Sequence, residues 1–488
     1  MAKKTVDPTQ GTPYEAVIGL EVHVQLRTET KMFCGCANRF GADPNELTCP
    51  VCLGMPGSLP VINRKAVHYT VRAGLACGCE ISKFTKFDRK NYYYPDLPKN
   101  YQISQYDLPI CNGGGVEVDF GETRKRIGLT RIHLEEDAGK NIHAQGTPES
   151  LVDLNRAGVP LMEVVSEPDL RSPAEAGAYL RMLRLIMLYL RISDCNMEEG
   201  SLRCDVNVSI RPRGSDQLET RCEIKNLNSF TNVENALDFE IRRQMKVKSA
   251  GESVVQETRL FDPDRGETRS MRGKEEAHDY RYFPEPDLAP MRFEEARLQG
   301  VRDSLPELPL TRLERFQSEL GLSEYHADVL IRDCGMADYF EECLQSAADP
   351  KETANWIVNA VREEMNAQSV EASEVGVSPQ RLVELLAAID DGKVSRQKAR
   401  DAFKGMIGNT DAVEAVIDRL GLAQISDDSV LQQAVSEVIA EQPNAVADVR
   451  DGKKQSMNFL VGQVMRKTKG QANPGVAAKL LNEAIRGS

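Results

Sequence analysis

The sequence predicts an α+β protein: a mixed α/β region with a largely antiparallel sheet, followed by all-α segments. Three observations carry this prediction. Residues 14–292 contain many short stretches in which apolar and polar side chains alternate, the period expected of half-buried strands. Pro284, Pro286 and Pro290 then break regular structure. Beyond them the apolar spacing becomes that of capped helices closed by glycine. A chain of 488 residues exceeds what one core holds, about 250 residues. We expect three parts, 1–292, 293–407 and 408–488, with Gly405 and Gly408 as the second hinge.

Val17 to Leu26 reads as the first strand. Leu20, Val22, Val24 and Leu26 share one face, while Glu21, His23 and Gln25 share the other. A carboxylate and an imidazole two residues apart suit a divalent metal, although a solvent-facing strand is the alternative. Next come Cys34-x-Cys36 and Cys49-x-x-Cys52, four of twelve cysteines. Two close pairs across a short loop can converge on one tetrahedral zinc, and Gly35, Pro50 and Gly54 supply the turns; reduced thiols without metal remain the alternative. Cys77 and Cys79 lack a second pair and read as core or surface thiols. Gly113-Gly114-Gly115 reads as a hairpin turn.

The charged strand face recurs. Ile132 to Asp137 brings His133, Glu135, Glu136 and Asp137 to a strand end, and Leu161 to Glu167 places Glu163 and Glu167 on one face. Ser172-Pro173 opens a helix whose apolar face carries Leu180, Leu183, Ile186, Met187 and Leu190. Arg203, Asp205, Asn207 and Ser209 then alternate with apolar residues, as do Arg221, Glu223 and Lys225. Matched charged faces of both signs point to one sheet lining a polar cavity. Carboxylates suit Mg2+ and cations suit phosphate oxygens, a mixture that serves phosphoryl transfer. The Walker and Rossmann glycine patterns are both absent, so any nucleotide site belongs to an unusual class.

In the helical part, Leu313, Phe316 and Leu320 share a face that stops at Gly321. Ser378-Pro379 opens a helix with Leu382, Leu385, Leu386 and Ile389, and Ser395 opens the next. The net charge of -13 argues against indiscriminate binding to DNA or RNA. Residues 450–488 nevertheless carry eight Lys/Arg against two acids, a balance that suits one particular RNA or a solvated helix face. No apolar run is long enough to span a membrane, and the polar first residues do not form a secretory signal, so a cytoplasmic location is expected.

Longer strings narrow the reading. Ile18-Gly-Leu-Glu-Val-His-Val-Gln25, Lys86-Phe-Asp-Arg-Lys-Asn-Tyr-Tyr-Tyr-Pro95, Tyr101-Gln-Ile-Ser-Gln105, His133-Leu-Glu-Glu-Asp-Ala-Gly-Lys140 and Asp153-Leu-Asn-Arg156 resemble the B-subunit family of aspartyl/glutamyl-tRNA amidotransferases. So do Met197-Glu-Glu-Gly-Ser-Leu-Arg-Cys-Asp205, Lys225-Asn-Leu-Asn-Ser-Phe230, Asp279-Tyr-Arg-Tyr-Phe-Pro-Glu-Pro286 and Lys469-Gly-Gln-Ala-Asn-Pro474. The strings run in order through almost the whole chain. The related archaeal E subunit carries an inserted domain that this length does not accommodate.

The resemblance implies a cradle domain with a kinase site, a helical domain and a small tail domain. It implies that ATP phosphorylates the side-chain carboxylate of Glu-tRNA(Gln) or Asp-tRNA(Asn), after which ammonia displaces phosphate. The family's Mg2+ positions match Glu21, His23, Glu136 and Glu163, and its phosphate-contacting lysine matches Lys90; Arg203 and Lys225 are further candidate ATP contacts. Strict alternation would turn Glu135, not Glu136, to the polar face, so a bulge or strand end is expected there. Cys34, Cys36, Cys49 and Cys52 match a structural zinc knuckle present in some members. Lys467 and Lys469 are candidate tRNA contacts. This chain has no Gly-Gly-Ser-Ser-rich amidase signature, and the resemblance assigns glutamine hydrolysis to an A subunit, with a small C subunit completing a heterotrimer. Two other readings are a non-catalytic zinc protein that binds tRNA and a free-standing ATP-dependent amide ligase.

Overall fold

The computed structural model describes residues 7–120, 123–143, 149–271, 279–346, 348–424, 428–450, 453–468 and 471–486. The chain forms two compact units, Met1–Leu308 and Pro309–Ser488. The first is built on a ten-stranded sheet and the second is helical, so the α+β prediction holds. No helix among the described residues is long and apolar enough to cross a membrane.

Strand β1 (Tyr14–Gln25) lies inside the large sheet. In chain order its companions are β2 (Glu80–Ile81), β5 (Cys111–Asn112), β6 (Gly115–Asp119), β7 (Arg124–Glu136), β8 (Pro160–Ser166), β9 (Leu202–Pro212), β10 (Cys222–Lys225), β11 (Thr258–Asp262) and β12 (Glu267–Ser270). The spatial order is β12-β11-β10-β9-β1-β8-β7-β5-β2, with β6 also on β7. All pairings are antiparallel except β10 with β11. A separate three-stranded sheet joins β3 (Asp88–Asn91) to β4 (Tyr101–Ser104) and to β13 (Phe283–Pro284).

Alternation in β1 divides the sheet's chemistry. Ala16, Ile18, Leu20, Val22 and Val24 are completely or almost completely buried. They share a core with helices α1 (Arg64–Ala76), α2 (Pro173–Tyr189) and α3 (Phe230–Ser249). Each such aliphatic side chain contributes about 1.5–3 kcal/mol by leaving water. Ser172 and Ser229 cap α2 and α3 by accepting from the amides of Glu175 and Asn232, both at 3.1 Å. A helix at Glu295–Asp303, just past the boundary expected at 292, adds Leu298 and Val301 to the core of the first unit.

The glycine triplet does not form a hairpin. Cys111 pairs with Ile132 and Gly115 with Gly128, so β5 and β6 run along the same strand, β7, on either side of a kink. A Cβ on Gly114 (φ +92°) would stand 2.8 Å from the Cys77 carbonyl oxygen, and no side chain fits there. Cys77 and Cys79 are core thiols whose pKa burial pushes up, to about 12 for Cys79.

In the second unit, Pro309–Ser318 carries Leu313 and Phe316 of the expected helical face and ends before Leu320, while Pro379–Asp390 and Arg396–Met406 form where capping predicts helices. Leu431, Val438, Leu460, Val464, Leu481 and Ile485 form a separate small core near its end.

Candidate active site

The polar faces of four strands meet in one row. Arg203 on β9 lies opposite His23 on β1, His23 opposite Glu163 on β8, and Glu163 opposite His133 on β7. His23 Nε2 stands 3.2 Å from Glu163 Oε2, and His133 Nε2 reaches the same oxygen at 3.5 Å. Glu135 Oε2 lies 3.6 Å from His133 Nε2 and accepts from Ser104 Oγ at 2.9 Å. His23, Glu135 and Glu163 each offer a ligand atom within 4.8 Å of the others.

Alternation along β7 is unbroken from Arg131 to Glu136, and this corrects the expectation for Glu136. The register with β8 is unbroken from Glu136 to Arg131. The register shift falls instead between Val165 and Ser166, where Ser166 faces Leu129 and Thr130 is the extra residue on β7; Thr130 Oγ1 donates to Glu167 at 2.7 Å. Glu136 therefore faces the other side of the strand. Its Oε1 accepts from the Ile103 amide at 2.9 Å and from the Lys99 ammonium, while its carbonyl accepts from Gln102 Nε2 at 2.6 Å.

The electrostatics of the row are those of a desolvated anion site. Burial opposes ionisation of Glu163, but His133, His23 and Lys90 hold it below the ordinary carboxylate range. Burial also opposes ionisation of Glu135, which a hydrogen bond from His133 nevertheless keeps low. Burial alone would push the His23 imidazole down; the hydrogen bond and charge of Glu163, with Glu135 beyond, raise it to about 8. Lys90 resists desolvation because Glu135, Tyr282 and Glu163 hold its charge. Its Nζ lies 4.9 Å from the centre of the Tyr280 ring. No ion pair within 4 Å ties it down among the described residues.

The other predicted side chains flank this row. Glu21 is held by Asn207 Nδ2 at 3.0 Å; burial, then the charges of Glu163, Asp205 and Glu223, push its pKa up. Arg203 donates to Asp137 Oδ2 at 2.8 Å, and Gln25 donates to the same oxygen at 2.7 Å. Lys225 pairs with Asp205 at 2.7 Å and Glu223 at 3.0 Å. An open cleft of about 230 Å³ adjoins Glu21 and Asn207 and reaches Arg221. His133 and Ser104 are site residues that the sequence reading left without a role. His133 shares its strand face with Glu135, a signal available from alternation.

The four thiols of Cys34, Cys36, Cys49 and Cys52 also converge, with all sulfurs within 4.8 Å of one another. Cys52 and Cys49 sulfurs are 3.9 Å apart. A tetrahedron with bonds of about 2.3 Å has edges of about 3.8 Å, so the spacing fits one zinc. Lys31, almost completely buried, points its ammonium at Cys52 Sγ from 3.8 Å. A hydrogen bond from Cys34, against burial, and then the Cys49 amide and Lys31 bring the Cys52 thiol down to about 5. A cavity of about 70 Å³ separates this cluster from Glu136 and Lys99.

In the tail, Lys467 pairs with Glu437 at 2.8 Å and Glu441 at 2.6 Å. Lys453 likewise pairs with Asp448 at 2.7 Å. The basic excess counted from residue 450 is thus partly balanced by acids just before it. Lys469 lies outside the described residues.

Residues 16–299 match the family model described as GatB/GatE catalytic domain, and residues 338–485 match the one described as GatB domain. The chain is 52% identical to the B subunit of the aspartyl/glutamyl-tRNA(Asn/Gln) amidotransferase of Thermodesulfovibrio yellowstonii, over 97% of this chain and 98% of that one. It is 53% identical to the proteins of the same name from Geotalea daltonii and Geobacter sulfurreducens, over 97% of this chain and all of each relative.

Proposed function

This chain belongs to the B-subunit family of aspartyl/glutamyl-tRNA(Asn/Gln) amidotransferases, and from that premise we propose that its first unit phosphorylates the side-chain carboxylate of Glu-tRNA(Gln) or Asp-tRNA(Asn) with ATP. The chain is one component of a tRNA-dependent, glutamine-hydrolysing amidation ligase. The observation that carries the kinase reading is the desolvated row of His23, Glu163 and His133, with Glu135 beside it and Lys90 kept charged by Glu135 and Glu163.

His23, Glu135 and Glu163 would hold Mg2+, with Glu21 beside them. Their spacing supports this, since adjacent ligands in an octahedron with bonds of about 2.0–2.1 Å are about 3 Å apart. The ion, when bound, would neutralise phosphate charge. Lys90 would bind a transferring phosphate oxygen, and its burial would strengthen that contact. Arg203 would stay anchored to Asp137 and orient toward the ATP phosphates, while Lys225 would serve at the site's margin. Phosphorylation gives the carboxylate a leaving group; ammonia then forms the C–N bond and inorganic phosphate departs.

The remaining features follow from the same reading. The four cysteines would hold a structural zinc, with Lys31 offsetting thiolate charge. An amidase A subunit would release ammonia from glutamine, and a small C subunit would complete a cytoplasmic heterotrimer. The tail would contact tRNA. ATP cleavage dependent on Glu-tRNA(Gln), assayed with and without an amidase partner, tests the proposal. Equal cleavage without tRNA would favour a free-standing ligase, and tRNA binding without any cleavage a non-catalytic protein.

A further inference from the structure

Tyrosines crowd the edge of the candidate active site that faces solvent. Tyr106 and Tyr282 stack with ring centres 4.4 Å apart and planes inclined by 10°. Tyr282 meets Tyr280 edge to face at 6.0 Å, and Tyr280 carries the Lys90 ammonium at 4.9 Å. Tyr106 is 56% exposed, Tyr94 54% and Tyr93 83%, so their rings add little to the core. Ser104, two residues before Tyr106, donates to Glu135 of the proposed metal site. The charges of Glu135 and Glu163 thus act on Lys90, and ring contacts lead from Lys90 through Tyr280 and Tyr282 to the uncovered face of Tyr106.

We propose that the exposed face of Tyr106, backed by Tyr282, is the stacking platform for the unpaired 3′-terminal bases of the aminoacyl-tRNA substrate. This inference rests on the tRNA-dependent reading above. The side-chain carboxylate to be activated hangs on the terminal ribose, one aminoacyl group and one sugar away from the last base. Once that carboxylate reaches Glu135 and Lys90, the base must lie at the rim of the same site. Unpaired bases offer flat π faces, and tyrosine is among the side chains that hold them without reading sequence. The parallel Tyr106–Tyr282 pair fixes the orientation of the outer ring before binding, which lowers the ordering cost. Lys90 supplies positive charge at the inner end, complementing the ribose-phosphate backbone.

The test compares two forms of uncharged tRNA(Gln), intact and trimmed of its three unpaired 3′ nucleotides, binding to the assembled complex. The wild type should bind the trimmed form on the order of tenfold more weakly, since one stacked base contributes about 1–3 kcal/mol. Tyr106→Ala should bind both forms alike, at the weaker affinity, and Tyr106→Phe should restore the difference. Tyr282→Ala, which removes the ring that backs Tyr106, should act in the same direction, so the outcome does not depend on one variant. Equal sensitivity of wild type and both alanine variants to trimming would overturn the platform while leaving tRNA-dependent ATP cleavage by the wild type intact. Dissociation of a partner protein from Tyr106→Ala would overturn it in favour of an interface role within the complex. A wild type that bound neither RNA would overturn this inference together with the reading beneath it.

Discussion

Glu135 and Glu136 are consecutive in sequence yet belong to different environments. Glu135 accepts from Ser104 Oγ at 2.9 Å and faces His133, while Glu136 turns across the strand to the Ile103 amide and Lys99. Glu135→Gln should therefore lower Mg2+ affinity at least tenfold and depress tRNA-dependent ATP cleavage further. Glu136→Gln should leave Mg2+ affinity nearly unchanged. It should instead cost about 3 kcal/mol of stability, because it strands a buried ammonium. Calorimetric Mg2+ titration and denaturant unfolding of both variants separate the two roles; a reversed pattern would return the metal to Glu136.

His23 provides a pH signature. In the metal-free protein its imidazole is raised to about 8 by Glu163, against burial. A raised pKa stabilises the folded state while the group is charged in both the folded and unfolded chain. That contribution, about 2 kcal/mol, is complete below about pH 6.5 and disappears as pH rises through about 8. Metal binding has the opposite slope, since a cation requires the neutral imidazole. Mg2+ affinity should rise about tenfold per unit up to about pH 8 and then level off. His23→Gln should flatten both profiles.

Much of this site was legible from period-2 alternation alone. The face carrying Glu21, His23 and Gln25, and the polar side of Glu163, follow from side-chain direction along single strands. Alternation also pointed to Glu135, and the family's ligand pattern drew the expectation toward Glu136. What could not be read were cross-strand partners. Nothing in the spacing tells that His133 falls opposite Glu163, that Ser104 arrives from a separate sheet, or that Gly114 bends one edge along β7. A charge count over the tail alone likewise leaves out its partners, because the acids that pair with Lys467 and Lys453 precede the basic segment.

The thiol cluster should carry about one zinc per chain by elemental analysis. Chelation should expose four titratable thiols and lower the melting temperature by several degrees. Lys31→Met should weaken metal retention, since it removes the ammonium 3.8 Å from Cys52 while preserving an apolar stem. Cys36→Ser should act similarly through the loss of a ligand. Full-strength metal binding by Lys31→Met would separate that lysine from the cluster.

The tail should contribute affinity for tRNA rather than chemistry. Its described helices Lys454–Lys467 and Pro474–Arg486 pack through Leu460, Val464, Leu481 and Ile485, and the described part of this core includes no metal-ligating cluster. Lys467 already lies between Glu437 and Glu441, so Lys467→Ala removes a screened charge. Arg466, exposed on the same helix, should matter more. Removing one cation that neutralises a phosphate flattens the logarithmic salt dependence of binding by about one unit. Arg466→Ala should therefore reduce the slope by about one, and Lys467→Ala by less. Removing residues 428–488 deletes the small core whole while keeping Asn409 and Asp411, whose carbonyl oxygens accept from Arg381. This truncation should raise the KM for tRNA at least tenfold, with glutamine hydrolysis by the partner, measured without tRNA, changing little. Binding measured across a salt series decides the point: an unchanged slope in the truncated complex would assign the basic tail to packing against another subunit.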